Sequence, residues 1–364
     1  MRNGRTAGRG RHQSGSGVIA LAFIILALAW FGVALAAEPE RLNDGEDCAA
    51  EHSDLDVNID ACTRVIENPE TGVERRRAAF FNRGNLKTGK GFLDSAIDDF
   101  SQAIALQPAD PISYFARGRA YAARGKPDEA IDDFNRAIAI DPDYIEAYAH
   151  RGGRWFSKGV FLAAIMDYGM VISRDPDNVS AYYIRAKAKD EYGDTDGAIA
   201  DYTQVVALDD TNVDTYAVLG RLRYFRGDFA GAHADFEQSL DSSASDYDAL
   251  WLELAVLQLG RPSWLAEVRD SVKESSVWTG CLLDFVMGRH THAEMTAFIN
   301  AYGDVNTTRL QTCELSFYAG EMHRLAGELA EAADLHRQAV KICPKTSTME
   351  RLGSRDALKA MGVN

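Results

Sequence analysis

The chain has 364 residues, of which 46% are hydrophobic and 26% charged, as is typical of a folded globular protein. Its net charge of −15 argues against nucleic-acid binding, because a protein that binds a phosphate backbone needs a positive surface. The same charge argues against docking on anionic lipid.

Residues 1–36 have the composition of an export signal. An arginine-rich start is followed by the apolar run from Val18 to Leu35, and Ala34-Leu35-Ala36 matches an A-x-A cleavage sequence. The run of 18 residues is also just long enough to span a bilayer. We expect the chain to be exported, either cleaved after Ala36 or retained by an uncleaved anchor. Without this segment, the remaining 35 basic and 54 acidic residues give a net charge of −19.

Residues 37–76 predict a helical cap. The segment DLDVNIDACTRVIENP is similar to the second helix of the repeat that follows, with Cys62 where the later copies have an aromatic residue. Cys48 then lies on the preceding helix. Because an exported chain meets an oxidising compartment, we expect a Cys48–Cys62 disulfide that closes this cap.

Residues 77–246 contain five copies of a 34-residue pattern. The copies begin at Arg77, Pro111, Ile145, Val179 and Val213. Positions 4 and 24 of each copy are aromatic, positions 8 and 20 are Gly or Ala, position 15 is Gly, and position 32 is Pro in the first three copies. The pattern predicts a helical hairpin in each copy, since small residues let two helices approach, glycine ends the first helix and proline stops the second.

Charged residues recur with the same period. Position 7 is Arg in four copies and position 23 is Asp in all five, as in Arg83 and Asp99 of the first copy. We interpret them as a ladder of internal ion pairs; the alternative is a row of binding arginines. The fifth copy is expected to lose the pair, because Leu219 replaces its arginine.

The remainder of the chain is less regular. Residues 247–312 form an irregular helical region, in which Cys281 is expected to be a buried free thiol. Residues 313–364 contain one more helical hairpin and a tail. Cys313 is expected to begin the first helix of this hairpin and Cys343 to end the second, so we predict a second disulfide between them. Ser316 and His336 stand where this hairpin should have its two aromatic residues.

The pattern of aromatic, small and proline positions resembles the tetratricopeptide repeat (TPR) family. This resemblance implies an all-α, right-handed TPR solenoid of antiparallel helical hairpins with disulfide-clipped ends. The two ends are also similar to those of exported bacterial envelope TPR proteins, some of which are adaptors for cell-wall hydrolases and proteases. The chain departs from that often lipid-anchored group, since no cysteine follows its apolar run closely. The resemblance implies a non-enzymatic scaffold that binds protein or peptide partners. Such a scaffold would be periplasmic, secreted, or anchored in the inner membrane.

In this family the first helices line a concave groove through repeat positions 2, 5, 9 and 12. The aromatic, polar and basic residues found at positions 5, 9 and 12 here are Phe81, Asn85, Phe115, Arg119, Phe156, Tyr183, Lys187, Arg221 and Tyr224. Aromatic rings beside basic side chains suit an extended peptide, through packing and carboxylate pairing. The alternative is that the rings only pack between repeats.

Residue patterns typical of catalysis or cofactor binding are weak. Gly84 to Lys90 nearly matches a phosphate-binding loop, but Gly91 follows where Ser or Thr is needed, so we predict no cofactor. His290, His292 and Glu294 have the spacing of metal ligands, yet Thr291 to Glu294 also matches a helix capping box, and we predict no metal. The alternative function is an envelope enzyme, such as a cell-wall hydrolase, with its site in residues 247–312.

Overall fold

The computed structural model describes Cys48 and residues 55–243, 245–268, 276–302, 304–344 and 349–363. The predicted export segment, residues 1–36, lies outside them. The described residues form helices and no strand; the helices are α1 (Leu55–Glu67), α2 (Val73–Gly89), α3 (Leu93–Leu106), α4 (Pro111–Ala123), α5 (Pro127–Ile140), α6 (Ile145–Ser157), α7 (Phe161–Arg174), α8 (Val179–Tyr192), α9 (Thr195–Leu208), α10 (Val213–Phe225), α11 (Phe229–Ser243), α12 (Asp246–Gln258), α13 (Leu265–Val268), α14 (Val277–Val286), α15 (His292–Tyr302), α16 (Val305–Leu325), α17 (Leu329–Ile342) and α18 (Met349–Ala360).

Helices α2 to α11 form the five predicted hairpins, with the even-numbered helix first in each. The glycine at position 15 ends the first helix of every repeat; Gly125, for example, has φ of 79°, which a residue with a side chain adopts only with strain. Each hairpin packs on the next, so the repeats build a right-handed solenoid whose first helices share one face. The predicted all-α solenoid is therefore confirmed. Among the described helices, none is both long and apolar enough to cross a bilayer.

The glycine at position 8 makes room for an aromatic ring. A Cβ atom on Gly118 would lie 2.7 Å from the ring of Phe134, the position-24 residue of the same hairpin. Gly84 faces the ring of Phe100 in the same way, also at 2.7 Å. Phe134 is fully buried, so the small residue gives the ring its place in the core between the two helices.

The predicted ion-pair ladder is present in the first four repeats. In the second repeat, Nε and Nη2 of Arg117 donate to the two carboxylate oxygens of Asp133 at 2.8 and 2.7 Å. The same guanidinium lies over the ring of Tyr114 and donates through Nη1 to Ser101 of the preceding repeat at 3.0 Å. Each such arginine thus joins the two helices of its own hairpin, and Arg117 also joins two repeats.

The fifth repeat keeps the ion pair in another form. Although Leu219 replaces the arginine, Arg223, one helical turn later, donates to both oxygens of Asp235 at 2.7 Å. Arg223 also reaches Thr203 of the preceding repeat at 3.3 Å. The expectation that this repeat loses its pair was wrong, because positions four apart on a helix lie on the same face.

A second set of ion pairs lies on the outer surface. Arg124 of the second repeat donates to Asp94 of the first at 2.9 Å, and both side chains are at least half exposed. Arg226 pairs with Asp196 across a later junction at 2.5 Å. Exposed pairs of this kind contribute little to stability, since water competes for both charges.

Both predicted disulfides are present. Cys48 bonds to Cys62, with their Cα atoms 4.6 Å apart, and Cys313 bonds to Cys343, with Cα atoms 5.0 Å apart. Cys281 lies outside both disulfides and is partly exposed rather than buried. The solenoid is therefore clipped at both ends of its described part.

The C-terminal hairpin differs from the prediction at its start. Helix α16 begins at Val305, eight residues before Cys313, because Asp304 caps it by accepting from the backbone N–H groups of Asn306 and Thr307 at 2.9 and 3.1 Å. Cys313 therefore lies inside the helix and not at its first turn.

His336 fills the aromatic slot of this hairpin. Its ring lies under Gly320, where a Cβ atom would approach within 2.8 Å, and it is fully buried. Its Nε2 is 3.1 Å from Glu321, and its Nδ1 is 3.3 Å from the hydroxyl of Ser354 on α18. Burial by itself raises the pKa of Glu321, but the hydrogen bond with His336 and the charge of Arg324 outweigh it, and the pKa is lowered.

Candidate functional site

The shared face of the first helices is built in layers from the core outward. In the second repeat the buried ring of Phe134 contacts Phe115, at 5.8 Å between ring centroids, and Arg119 lies 5.8 Å above Phe115. In the fourth repeat Tyr202 contacts Tyr183 at 5.8 Å, and Lys187 lies 5.6 Å above Tyr183. Rings therefore form the floor of the groove, and the position-9 cations lie on top of them.

The cations on this face differ in their pairing from the framework arginines, which are the arginines of the ion-pair ladder. Within the described residues, Arg119 and Lys187 form no ion pair and are exposed, whereas the framework arginines such as Arg151 are paired with buried aspartates. Lys187 also lies 5.8 Å from the ring of Phe156, so it rests on rings of two repeats. A ring face favours a nearby cation by about 0.5–1 kcal/mol at an exposed site, so these contacts position the charges without neutralising them.

The rings themselves are partly structural. Phe115 is only 9% exposed, between Phe134, Tyr144 and His150. Phe81 contacts the buried ring of Phe100 at 5.8 Å and stays partly exposed, beside the exposed Asn85. The groove rings therefore pack against other rings and, to different degrees, also remain accessible to a ligand.

The groove is closed at the fifth repeat. Arg221 and Tyr224 were predicted to line it, but each is only 1% exposed. Arg221 donates to Asp190 at 3.2 Å and to Asp356 at 2.5 Å, and the Tyr224 hydroxyl donates to Glu321 at 2.7 Å. These two residues hold the C-terminal part of the chain and do not offer an open surface.

The helix that closes the groove is α18. It packs against the C-terminal hairpin and reaches back to α10 of the fifth repeat. A Cβ atom on Gly353 would lie 2.8 Å from the ring of Phe317 and 3.4 Å from that of Phe225, so a glycine is needed for this close contact. Burial raises the pKa of Asp356 although Arg221 opposes the effect. The open part of the groove therefore spans the first four repeats.

Two groove residues were missed by sequence reasoning. His150 contacts Phe115 at 5.1 Å, on the same ring that carries Arg119, and Arg154 lies one turn further along the same helix. They occupy repeat positions 6 and 10, outside the positions 2, 5, 9 and 12 considered for the groove. Burial lowers the pKa of His150, and the charges of Arg119 and Arg154 lower it further.

Of the three residues with metal-ligand spacing, Glu294 takes part in a helix cap. Thr291 donates through its backbone N–H to Glu294 at 2.7 Å, and the backbone N–H of Glu294 donates to the Thr291 hydroxyl at 3.2 Å. This capping box starts α15 at His292. Among the described residues, no three His, Cys, Asp or Glu side chains are placed to hold a metal ion.

A solenoid of stacked helical hairpins with one open face defines a class of protein-interaction scaffolds. The sequence model of the tetratricopeptide repeat family matches residues 81–145, which confirms the resemblance to that family. None of the curated proteins compared with the chain matches it.

Several solved structures are similar. They include the MamA protein, at 23% identity and a TM-score of 0.44, which aligns over 46% of this chain and 91% of its own. YrrB, described as a TPR protein with an unusual peptide-binding site, has 17% identity and a TM-score of 0.47 over 53% of this chain and 97% of its own. The pilF protein of Pseudomonas aeruginosa has 14% identity and a TM-score of 0.43 over 60% of this chain and 93% of its own.

Proposed function

We propose that this chain is a non-enzymatic adaptor of the bacterial cell envelope that holds an acidic segment of a partner protein in the groove of its first four repeats. One observation carries the proposal: the groove cations, such as Arg119 and Lys187, form no ion pair within the described residues and lie on aromatic rings. A partner carboxylate would supply the missing counter-charge, and the rings would supply apolar contact.

The envelope location rests on the export segment that ends at Ala36. A mature chain that starts at Ala37 in the envelope fraction would support cleavage, and a chain that starts at Met1 in that fraction would support an anchor. A chain that starts at Met1 in the soluble cytosolic fraction would contradict the location.

The alternative, an enzyme with its site in residues 247–312, gains no support from the buried carboxylates that the structure describes in this region. The buried carboxylates described there bind structural partners: Glu253 accepts from the backbone N–H of Leu265 at 2.9 Å, and Asp248 accepts from the hydroxyl of Ser239 at 2.7 Å. Glu314 of α16 accepts from Tyr247 at 3.0 Å and from Trp278. These acids hold the irregular region together.

Site-specific crosslinking in cells tests the groove. A photoreactive residue at Asn85, exposed in the groove, should capture a partner protein, whereas one at Asp94, exposed on the outer surface, should not. Changing Arg119 and Lys187 together to Glu should abolish the capture, because reversed charge in a desolvated groove costs about 2–5 kcal/mol of binding free energy. Capture from Asp94 and not from Asn85 would move the binding surface to the outer face.

A further inference from the structure

The row of position-9 side chains in the groove has a gap in the third repeat. Arg119 and Lys187 occupy this position in the second and fourth repeats, but the third has Gly153. A Cβ atom on Gly153 would lie 3.4 Å from the hydroxyl oxygen of Tyr168, so this hydroxyl lies directly beneath the glycine. We call this place the Gly153 notch.

The hydroxyl at the bottom of the notch is not used by the fold. Within the described residues, the Tyr168 hydroxyl forms no hydrogen bond, although its ring is buried at 5% exposure. The ring belongs to the position-24 framework, where the first, second and fifth repeats have phenylalanine and therefore no hydroxyl. A hydroxyl in this position is unnecessary for packing, and Gly153 leaves it without a side chain above it.

Three basic side chains lie on the groove near the notch. Arg119 and His150 lie on the same ring, that of Phe115, at 5.8 and 5.1 Å. Arg154 follows Gly153 directly in the chain, and its charge lowers the pKa of both His150 and Tyr168, although burial raises the pKa of Tyr168 to about 12 overall.

The acids near the notch do not pair with these arginines. Asp167, whose charge raises the pKa of Tyr168, is paired with Arg151. Asp110, Asp141 and Glu146 raise the pKa of Tyr144, which packs on Phe115. Glu146, the acid whose charge opposes the arginines at His150, forms no salt bridge to Arg119 or Arg154 within the described residues. Neither arginine has another ion-pair partner in the described part of the chain. The notch therefore combines one hydroxyl donor with two arginines that form no ion pair within the described residues.

We propose that the Gly153 notch is an anchoring subsite for a carboxylate of the partner segment. Arg119 and Arg154 pair with the carboxylate, and the Tyr168 hydroxyl donates a hydrogen bond to it through the space that Gly153 leaves. Position 153 therefore fixes the register of the bound segment, since a long side chain fills the corresponding place in the neighbouring repeats. This inference rests on the proposed function, because it requires that the groove binds a partner.

Tetraglutamate, acetylated at its N-terminus, is the probe for this subsite, titrated into the full chain and followed by fluorescence anisotropy and by the ring proton signals of His150. Tyr168→Phe should weaken binding about tenfold, the loss of one hydrogen bond to a charged group. Tyr202→Phe is the matched control, because it removes the same hydroxyl one repeat later, where Lys187 and not glycine occupies position 9, and it should leave binding unchanged. Gly153→Leu should block the notch, and the position accepts long side chains in the other repeats.

The His150 signals give a readout that does not depend on affinity. A bound carboxylate offsets the charges of Arg119 and Arg154, so the pKa of His150 should rise on saturation with the probe. Equal binding by a probe with an amidated C-terminus would assign the notch to side-chain carboxylates, and loss of binding would assign it to a chain terminus.

Three results would overturn the inference. Unchanged binding in Tyr168→Phe and Gly153→Leu, with His150 unmoved in the wild type, would reject the notch and leave the groove proposal intact. A phosphoserine tetrapeptide that binds tenfold more tightly than tetraglutamate would reject carboxylate as the ligand class. Partner capture in cells from Asn85 without any binding of tetraglutamate would reject the notch as well.

Discussion

Removing the guanidinium of Arg117 is expected to destabilise the fold strongly, because it leaves a buried carboxylate without its partner. Asp133 is 4% exposed, and both of its carboxylate oxygens accept from Arg117. In Arg117→Met the carboxylate stays buried without its counter-charge, and Ser101 of the preceding repeat loses its bond to Nη1. Breaking one side of a buried pair costs about 3–5 kcal/mol of unfolding free energy.

The pH dependence of this variant follows from Asp133. Burial already raises the pKa of Asp133, while the hydrogen bond and charge of Arg117 oppose the rise, so loss of Arg117 should raise it further. A carboxyl group with a higher pKa in the folded state binds its proton more tightly there. The unfolding free energy of Arg117→Met should therefore rise, relative to wild type, as the pH falls from 7 towards the unfolded value of about 3.9. Adding Asp133→Asn should remove this dependence.

Urea unfolding followed by circular dichroism at several pH values measures both effects. Arg124→Met is the control, because it removes an exposed arginine from a pair with Asp94 on the outer surface and should cause little loss. Equal losses in the two variants, or a loss in Arg117→Met that does not shrink at low pH, would refute the role assigned to the buried pair.

Three further outcomes are expected. Gly118→Ala should lower the unfolding free energy by about 1–3 kcal/mol, because its Cβ would lie 2.7 Å from the ring of Phe134, and calorimetry should show a lower Tm; an unchanged Tm would contradict this reading. The lowered pKa of Glu321 contributes stability that is complete above about pH 4.3 and is lost as the pH falls through the folded value, so Glu321→Gln should flatten the acid side of the stability profile measured in urea. Alkylation of the unfolded, unreduced chain should label Cys281 alone, and mass spectrometry that finds five labels would rule out the two disulfides.

The repeats could be predicted because their determinants are local and periodic. A glycine facing a ring 16 residues later, as Gly118 faces Phe134, is one contact repeated at each step, so the sequence displays it several times. The disulfides followed from the same logic, since the two helices of an antiparallel hairpin bring their distant ends together. Contacts that every copy shares could therefore be predicted from the sequence. A contact that occurs in one copy alone could not, as when Arg223 replaces the missing arginine of the fifth repeat.

The closed end of the groove could not be predicted for a different reason. The contact between Arg221 and Asp356 joins residues 135 positions apart, and no period in the sequence relates them. Its formation depends on where the irregular region places the C-terminal hairpin, which is a matter of tertiary packing and not of pattern. The Gly153 notch could not be predicted either, because Gly153 has no side chain. The notch is defined by the Tyr168 hydroxyl that tertiary packing places beneath this glycine.

The arginines that join neighbouring repeats also bear on how the loss of conformational entropy would be divided between this chain and a bound partner. A turn of one repeat against its neighbour would break a hydrogen bond such as that of Arg117 to Ser101, and we therefore expect these bonds to favour one arrangement of the groove before any ligand arrives. At one junction Gly169 stands where the other repeats offer a polar side chain to this arginine, and the curvature is expected to adjust there first. If the groove binds a partner as proposed, the conformational entropy of binding should be lost mainly by the partner segment, and a segment already stiffened by proline should bind more tightly than a flexible one of the same charge.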